Sequence, residues 1–299
     1  MISNYRLGIL YALLSYMLWG FVPFYWKQLQ GIALGQVLAH RIFWSMITVL
    51  ILIFVTRKFK DFQQAIQTRE KLFSLLLSAF FIGTSWSIYI FSIYRHELVQ
   101  ASLGYFINPL ISVALGIIFL KERLNRLQIL AVILATIGVL TLGLHHQGFP
   151  WIALSLAFSF AFYGLIKKRI GVDSLVGLGV ETLWISPIAI AYLLLWHRAD
   201  LYHTFTHELL TSFLLIGTGL LTLAPLFFFN GAAKRLPLST LGFFQYLSPS
   251  IQLILAVFYF HEPFTKLQGI SFGFIWLALV LFTLANWTSG GISLRFKPQ

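Results

Sequence analysis

The sequence contains no cysteine, and only 9 of its 299 residues are acidic. Without cysteine the protein cannot form a disulfide bond or bind a metal ion through thiolates. Charged residues of both signs make up 10% of the chain, whereas a typical soluble domain carries about 25%. Because 59% of the residues are hydrophobic, a soluble domain of this length could not bury its apolar surface. The composition therefore predicts an integral membrane protein.

Long runs without a charged residue divide the chain. A helix that crosses a bilayer needs about 20 mostly apolar residues, and a barrel strand only about 9–11. Runs without Asp, Glu, Lys or Arg cover residues 7–26, 72–94, 98–120, 147–166, 209–233, 236–260 and 267–294. Residues 127–144, 33–56 and 174–196 complete the set, the last two with one formal charge each. The sequence thus predicts an all-α integral membrane protein with ten transmembrane helices, and a cytoplasmic loop in the polar segment from Arg57 to Lys71.

Lysine and arginine are distributed unevenly between the two ends of these helices. With the N-terminus placed in the cytoplasm, 16 of the 21 basic residues fall on the inner side and 4 on the outer side; the remaining one, Arg41, lies within a helix. This bias follows the positive-inside rule. We therefore expect a multi-pass protein of the bacterial inner membrane with both termini in the cytoplasm. The net charge of +12 then indicates contact with anionic lipid and not with nucleic acid.

The second half of the chain repeats features of the first. Residues 98–142 correspond to residues 238–282 at an offset of 140 without a gap, and 7 of the 45 aligned positions are identical. The identities include a proline within a helix, Pro109 and Pro249, and an acid in the following turn, Glu122 and Glu262.

This correspondence predicts two units of five helices, residues 1–146 and 147–290, followed by a short basic cytoplasmic tail, residues 291–299. Because five is an odd number, the second unit enters the membrane from the opposite face. Such inverted repeats are typical of secondary transporters, which bind their substrates near the midplane between the repeats.

The two matched prolines each interrupt the hydrogen bonding of a helix near its centre. A helical proline has no N–H for the carbonyl four residues earlier, so the carbonyls of Tyr105 and Gln245 lose their usual donors. In hydrocarbon a free carbonyl must face protein or water. We interpret the kinks as lining a pathway with polar groups from Tyr105, Asn108, Gln245 and Tyr246. Kinks that serve packing alone are the alternative.

Arg41 and Glu181 are formal charges inside predicted transmembrane helices. A charge at the centre of such a helix costs at least about 2.5–3.5 kcal/mol, so intramembrane charges usually serve a pathway. Their positions place them roughly 10 Å apart along the membrane normal. We predict that they do not pair and that Arg41 serves the outer vestibule and Glu181 the inner one, where Glu181 is a candidate for proton coupling. A structural role for Arg41, by pairing or by snorkelling, is the alternative.

His40 and three aromatic residues complete the predicted pathway. His40 could relay protons, although a buried histidine with satisfied hydrogen bonds is the commoner case. Trp44, Trp86 and Tyr89 lie close to polar or charged residues and could stack on a ligand. Most aromatic residues in membrane helices instead fill the core or the interfacial belt.

Motifs for enzymatic chemistry are incomplete. His96-Glu97 and His207-Glu208 each lack the second histidine that a zinc protease needs on the same helix face. The chain has no phosphate-binding loop with its lysine and no dinucleotide fingerprint. We therefore predict no enzyme activity, no cofactor and no metal ion.

Short motifs are spread over both halves of the chain. They are Trp19-Gly20 with Pro23, His40-Arg41-Ile42 with Trp44-Ser45, ASLGYFINPL at 101–110, Lys121-Glu122-Arg123-Leu124, Glu181-Thr182-Leu183, APL at 224–226, AAKRL at 232–236, LSTLGF at 238–243, Gln245-Tyr246 and Glu262-Pro263. In these motifs the chain resembles the EamA family of the drug/metabolite transporter superfamily, and within it the RarD-type proteins. One departure is Ser85, where the resemblance leads us to expect asparagine before Trp86.

The resemblance implies a ten-helix inner-membrane carrier with a central cavity, similar to exporters of amino acids and other small metabolites. We therefore expect a secondary transporter of amino-acid-like or amphipathic drug-like molecules that works by alternating access, with Glu181 as the candidate group for proton coupling. A membrane interaction or sensor protein that does not transport is the alternative. A soluble signalling domain would favour that alternative, and the sequence shows none.

Overall fold

The computed structural model describes residues 4–288 apart from residues 30, 96, 144–148, 197–208, 260 and 262–264. In this part of the chain all regular secondary structure is helical. The helices are α1 (Asn4–Gln28), α2 (Leu34–Val55), α3 (Phe59–Gln67), α4 (Arg69–Tyr94), α5 (Leu98–Leu120), α6 (Arg126–Gly143), α7 (Trp151–Arg169), α8 (Ser174–Trp196), α9 (Leu209–Ala233), α10 (Leu238–Gln245), α11 (Leu247–Phe258) and α12 (Lys266–Thr288). Glu262, one of the two matched turn acids, lies outside the described residues.

Ten segments of the described chain are long and apolar enough to cross a membrane, which confirms the number predicted from the charge-free runs. α10 and α11 together form the ninth segment, and α3 is too short to cross. The segment from Arg57 to Lys71 connects two spans, as predicted, but it is not an irregular loop throughout, because it contains α3. This helix forms because Phe62 and Ala65 pack against apolar residues of α4 and α8.

The two matched prolines affect their helices differently. A break at Tyr246 separates α10 from α11, and Pro249 lacks the N–H that would otherwise reach the carbonyl of Gln245 at this break. Pro109 instead lies inside α5, which continues without interruption. The Tyr246 hydroxyl donates a 3.2 Å hydrogen bond to the carbonyl of Phe106, so the break is held against the intact helix.

The largest contacts between helices join the two halves of the chain. α2 packs on α8, α5 on α10 and α6 on α12, which are in each case helices 140 residues apart. α1 packs on α9, and α7 packs on both α4 and α5. Gly104 of α5 and Gly138 of α6 lie against the backbone of α7 and α12, where a larger side chain would not fit. Neither half therefore forms a compact domain by itself.

Large apolar side chains cover the outside of this bundle. Phe54, Ile188, Leu195 and Phe213 are all highly exposed on different helices or at different heights. Water solvates such a surface poorly, whereas lipid tails solvate it well. The apolar exterior therefore fits a protein that is surrounded by a bilayer, with its polar groups turned inwards.

Candidate functional site

A cavity of about 250 Å³ lies at the centre of the bundle, between the two halves of the chain. Its wall combines side chains from α1, α2, α4 and α5 with side chains from α7, α9, α10 and α11. A second cavity of about 260 Å³ shares Trp26, Arg41, Trp86 and Tyr89 with the first. The rest of its wall comes from the α1–α2 turn and the start of α2. The two cavities together extend from the centre of the bundle towards one end.

The other end of the bundle carries most of the lysine and arginine. It contains α3, the α5–α6 turn, the α7–α8 turn and the α9–α10 turn, and we call it the basic end. Neither cavity is lined by residues of these turns. The cavities therefore approach the end opposite to the basic end.

Arg41 lies in the wall that the two cavities share, and it is held by aromatic rings. Its Nε donates a 2.7 Å hydrogen bond to Oγ1 of Thr222. Its guanidinium carbon is 4.8 Å from the centroid of the Trp86 ring and 5.7 Å from that of Trp26. Among the described residues no carboxylate forms a salt bridge with Arg41. Ring faces and a hydroxyl stabilise its charge without neutralising it, so the charge is available to an anion.

Close contact between α2 and α9 positions Arg41. Gly219 of α9 lies against the backbone of Trp44, where a side chain would not fit. Ser45 donates a 3.3 Å hydrogen bond to the carbonyl of Gly219. This contact brings Arg41, one turn earlier in α2, opposite Thr222, one turn later in α9.

The central cavity brings together six of the ten predicted pathway residues, namely Arg41, Trp86, Tyr89, Tyr105, Asn108 and Gln245. The ring centroids of Tyr89 and Tyr105 are 6.1 Å apart. Asn108 donates a 2.9 Å hydrogen bond from Nδ2 to the carbonyl of Ala157, which orients its amide. Gln245 lies at the end of α10, at the helix break. Ser85, the departure from the expected asparagine, also lines the cavity.

The other four predicted residues lie outside the cavity lining. His40 is buried within α2, and Trp44 lies at the contact between α2 and α9. Tyr246 is fully buried at the helix break. Glu181 lies in α8 and pairs with Lys167. It does not pair with Arg41, as the predicted difference in depth between the two charges requires.

Glu181 belongs to a closed polar cluster near the basic end, which we call the Glu181 cluster (Ser78, Tyr163, Lys167, Glu181 and Asn230). Nζ of Lys167 lies 2.5 Å from Oε1 of Glu181, and both side chains are only 3% exposed. Ser78 donates a hydrogen bond to the same carboxylate. The Tyr163 hydroxyl lies 3.4 Å from Oε2 of Glu181 and 3.0 Å from Oδ1 of Asn230. Side chains of α4, α7, α8 and α9 thus meet at one buried ion pair.

Lys167 lies inside a helix, although the charge-free run that predicts this helix ends at residue 166. α7 continues to Arg169 and buries Lys167 in its last turn. Gly177 of α8 leaves room for the ammonium, since a Cβ at that position would lie 2.8 Å from Nζ. A lysine can remain in a buried helix end of this kind because Glu181 neutralises it.

A continuous set of aromatic contacts separates the central cavity from the Glu181 cluster. Trp19 and Phe160 line the cavity, with ring centroids 5.7 Å apart. Phe229 lies behind them, 6.0 Å from Trp19 and 5.2 Å from Phe160. Tyr163 stacks on Phe229 at 5.8 Å and extends its hydroxyl to Glu181. The cavity is therefore closed towards the basic end by rings.

The sequence did not predict Trp26, Thr222 or the rings that close the cavity towards the basic end as site residues. One sequence signal could have indicated Trp26, because Tyr16, Trp19, Pro23 and Trp26 recur at the spacing of one helix face and all line the cavity. Thr222 carries no comparable signal, since its role depends on the packing of α9 against α2.

The fold and the site together define a class of protein. It is a multi-pass α-helical membrane protein with a ligand-sized cavity between its two halves and an unneutralised arginine in the cavity wall. The model of the EamA-like transporter family matches residues 6–144 and again residues 149–284. The chain belongs to this family and is a bacterial membrane transporter.

Two curated relatives cover almost the whole chain. Protein RarD of Salmonella typhi is 43% identical over 279 residues, which cover 93% of this chain and 95% of the relative. The uncharacterized transporter YojE of Bacillus subtilis is 42% identical over 282 residues, 93% of this chain and 94% of the relative. A solved crystal structure with 15% identity and a TM-score of 0.69 covers 94% of this chain and 98% of its own, which supports the fold alone.

Proposed function

We propose that the protein is a secondary transporter that exports small amino-acid-like or amphipathic drug-like molecules across the bacterial inner membrane. The observation that carries this proposal is Arg41, a cation in a cavity wall inside the bundle without an acidic partner among the described residues. Guanidinium groups bind carboxylates through paired, charge-assisted hydrogen bonds. Arg41 is therefore the group that binds a carboxylate of the substrate.

The rest of the cavity wall indicates an amphipathic substrate. Trp19, Trp26, Trp86 and Phe160 offer ring faces and edges. Such a wall binds the apolar part of a small molecule, while a few polar groups fix its orientation. We assign the orientation of the substrate to Tyr89, Tyr105 and Gln245, which are polar residues of the cavity wall.

Alternating access between two five-helix repeats, residues 1–146 and 147–290, is the proposed mechanism. The family model matches the chain twice, once in each unit. Several cavity residues also occur as pairs 140 residues apart, namely Ile82 with Thr222, Trp86 with Leu226, Tyr105 with Gln245, and Asn108 with Ser248. A cavity built from corresponding positions of inverted repeats lies near the midplane, where transporters of this type bind their substrates.

The proposed orientation places the basic end and both termini in the cytoplasm, following the positive-inside rule. Transport is proposed to be coupled to protons through Glu181, whose charge is buried at that end. Reagents that label Lys168 and Lys234 test the orientation, because both must react from the cytoplasmic side.

Binding to purified protein in detergent tests the proposed substrate class. Amino acids and amphipathic drugs are screened by thermal shift, each carboxylate beside its carboxamide, because a ligand of the folded state raises the melting temperature. We expect carboxylates to stabilise the protein and carboxamides to do so less. Arg41→Ala should weaken binding about tenfold to a hundredfold, since a charged hydrogen bond contributes about 1.5–3 kcal/mol. It should also abolish transport of the same compound in proteoliposomes.

Thr222→Val is the matched control, because it removes the hydrogen bond to Arg41 but keeps the charge. It should bind carboxylates far better than Arg41→Ala does. Wild-type uptake by a correctly inserted Arg41→Ala protein would contradict the proposal.

A further inference from the structure

The Glu181 cluster corresponds in position to the Arg41 site. Glu181 follows Arg41 by 140 residues, and each charge lies in the first half of its helix, α8 or α2. Arg41 reaches across to a hydroxyl of α9, at Thr222, and Glu181 accepts from a hydroxyl of α4, at Ser78. α4 and α9 are themselves 140 residues apart. The two charges thus have corresponding neighbours at opposite ends of the bundle.

The two ends differ in whether these helices are in contact. At the basic end α9 packs on both α7 and α8. The corresponding helices at the other end are α4, α1 and α2, and in the described chain α4 makes no comparable contact with α1 or α2. The cavities lie in that gap. The structure is therefore open around Arg41 and closed around Glu181.

Other contacts close the basic end as well. The Glu122 carboxylate accepts hydrogen bonds of 2.6 and 2.9 Å from the backbone N–H groups of Leu238 and Ser239, at the start of α10. Lys168 donates to the carbonyl of Leu236 beyond the end of α9. These contacts do not include Glu181, so they do not make the closure respond to its protonation.

The Lys167–Glu181 pair is different because its two charges cancel inside the bundle. Protonation of the Glu181 carboxylate by a hydronium ion at the basic end would form one O–H bond, release water and break no covalent bond in the protein. It would leave the Lys167 ammonium without a counter-charge. A buried, uncompensated charge is strongly unfavourable, whereas a neutral ion pair with further hydrogen bonds can be tolerated.

We propose that the Lys167–Glu181 pair is a lock operated by a proton. While Glu181 is ionised, the pair joins α7 to α8, Ser78 ties α4 to Glu181, and Tyr163 links the cluster to Asn230 of α9, so the basic end stays closed. Once Glu181 is protonated, the basic end opens, water solvates Lys167, and the Arg41 end closes. This inference rests on the proposed transport function and identifies Lys167 as a residue that determines which end is open.

The surroundings of Glu181 contain few competing charges. α7 presents Lys167 and Tyr163, α4 presents Ser78 and α9 presents Asn230. α2 and α3 approach α8 near Gly179 with uncharged side chains, those of Ile53 and Phe62.

Lys58, Asp173 and Lys234 are charged groups that lie nearer the surface of the basic end. Lys58 and Asp173 form a partly exposed salt bridge of 2.7 Å. Burial, followed by the charge of Lys167, lowers the pKa of Lys234 to about 8. Lys234 therefore titrates above neutral pH, and an experiment at neutral and acidic pH separates it from the lock.

Distances between spin labels test the lock without any substrate. The chain has no cysteine of its own, so introduced cysteines are the only labelled sites. Gly171→Cys with Lys234→Cys spans the basic end, and the second substitution also removes the lysine that titrates near pH 8. Ala33→Cys with Arg95→Cys spans the other end, at exposed positions beside α2 and α4. Both pairs are measured in lipid nanodiscs at neutral pH and at about pH 4, near the ordinary pKa of a glutamate side chain.

We expect acidification to lengthen the distance between residues 171 and 234 and to shorten the distance between residues 33 and 95. Glu181→Gln should abolish both changes. If that variant does not fold, Lys167→Met with Glu181→Gln replaces it, because the double variant buries no unpaired charge, and it should be equally insensitive to pH. Lys58→Met, which breaks the partly exposed salt bridge at the same end, should respond like the wild type.

A pH response that persists in the Glu181→Gln or double variant would overturn the lock, as would distances that do not change with pH in the otherwise wild-type chain. Neither result depends on ligand binding. If carboxylates bind at Arg41 but the distances do not change with pH, the proposed function is retained and the lock is rejected. If the distances change with pH but carboxylates do not bind, only the carboxylate site is rejected.

Discussion

Arg41 and Glu181 lie 140 residues apart at corresponding places in α2 and α8, yet the protein surrounds them differently. Arg41 faces a cavity and contacts two tryptophan rings and one hydroxyl. Glu181 of α8 is buried among side chains of α4, α7 and α9 and pairs with Lys167 at 2.5 Å. One charge is thus exposed to a cavity and the other is neutralised inside the bundle.

The two environments affect these charges in different ways. The face of an indole ring attracts a cation but carries no net charge, so Arg41 keeps its charge for a ligand. An opposite charge cancels that of Glu181, so Glu181 can act on a ligand or a proton only after the pair separates. These environments fit the proposed roles of Arg41 in carboxylate binding and of the Glu181 cluster in control of access.

Removal of Lys167 should give the largest effect on stability and tests the comparison most directly. Lys167→Met leaves Glu181 buried without its partner, and loss of one partner of a buried ion pair costs about 3–5 kcal/mol. We expect a much lower melting temperature in detergent. Lys167→Met with Glu181→Gln should recover most of the loss, because it leaves no unpaired charge.

Arg41→Met is the matched variant for this measurement, since it also removes an intramembrane cation but one without an acidic partner among the described residues. It should show no comparable loss of stability. If Lys167→Met and Arg41→Met destabilise the protein equally, the two sites do not differ in the way the geometry indicates.

The sequence was sufficient for those features that depend on one helix at a time. The ten spans follow from length, which the thickness of the bilayer sets, and from the absence of charge, which the hydrocarbon core favours. That Arg41 and Glu181 do not pair follows from the rise per residue of an α-helix. Six cavity residues were also predicted, because prolines, intramembrane charges and nearby aromatic residues are visible without knowing how helices pack.

Features that depend on contacts between the two halves were not predictable in this way. A charge-free run ends the span just before Lys167, and only the packing of α7 near α8 reveals its partner. Thr222 of α9 and Trp26 of α1 contact Arg41 only because the fold brings these helices beside Arg41 of α2. The matched prolines gave no indication that α5 would continue through Pro109 while the other helix breaks at Tyr246, since the break depends on what each helix packs against.

Glu122 allows the closed end to be weakened without a change to either buried charge. Its carboxylate accepts hydrogen bonds from two backbone N–H groups at the start of α10. Loss of such a helix cap costs about 0.5–2 kcal/mol. We expect Glu122→Ala to lower the melting temperature by less than Lys167→Met does, and Glu122→Gln to have a smaller effect, because an amide oxygen still accepts one bond.

The Arg41 cavity is distant from this contact, so Glu122→Ala should change carboxylate affinity much less than Arg41→Ala does. Equal losses of affinity in the two variants would contradict this expectation. They would mean that carboxylate binding depends on closure of the basic end, although Glu122 and Arg41 share no contact.

The smallest expected effect concerns the two rings that hold Arg41. Trp86 lies 4.8 Å from the guanidinium carbon and Trp26 lies 5.7 Å from it, so Trp86 should contribute more. Phenylalanine has a weaker cation–π interaction than tryptophan, and contributions of this kind are about 0.5–1 kcal/mol at exposed sites and larger when desolvated. We expect Trp86→Phe to weaken carboxylate binding a few-fold and Trp26→Phe to weaken it less, as measured by titration calorimetry.

Trp151→Phe is the control, because Trp151 packs on Phe91 at the bundle surface and is not part of the cavity lining. It should leave affinity unchanged. If Trp26→Phe and Trp86→Phe weaken binding equally, the rings act mainly by filling volume. Thr222 would then be the only identified group that orients Arg41. The two sites would differ only in that Glu181 has an oppositely charged partner and Arg41 has none among the described residues.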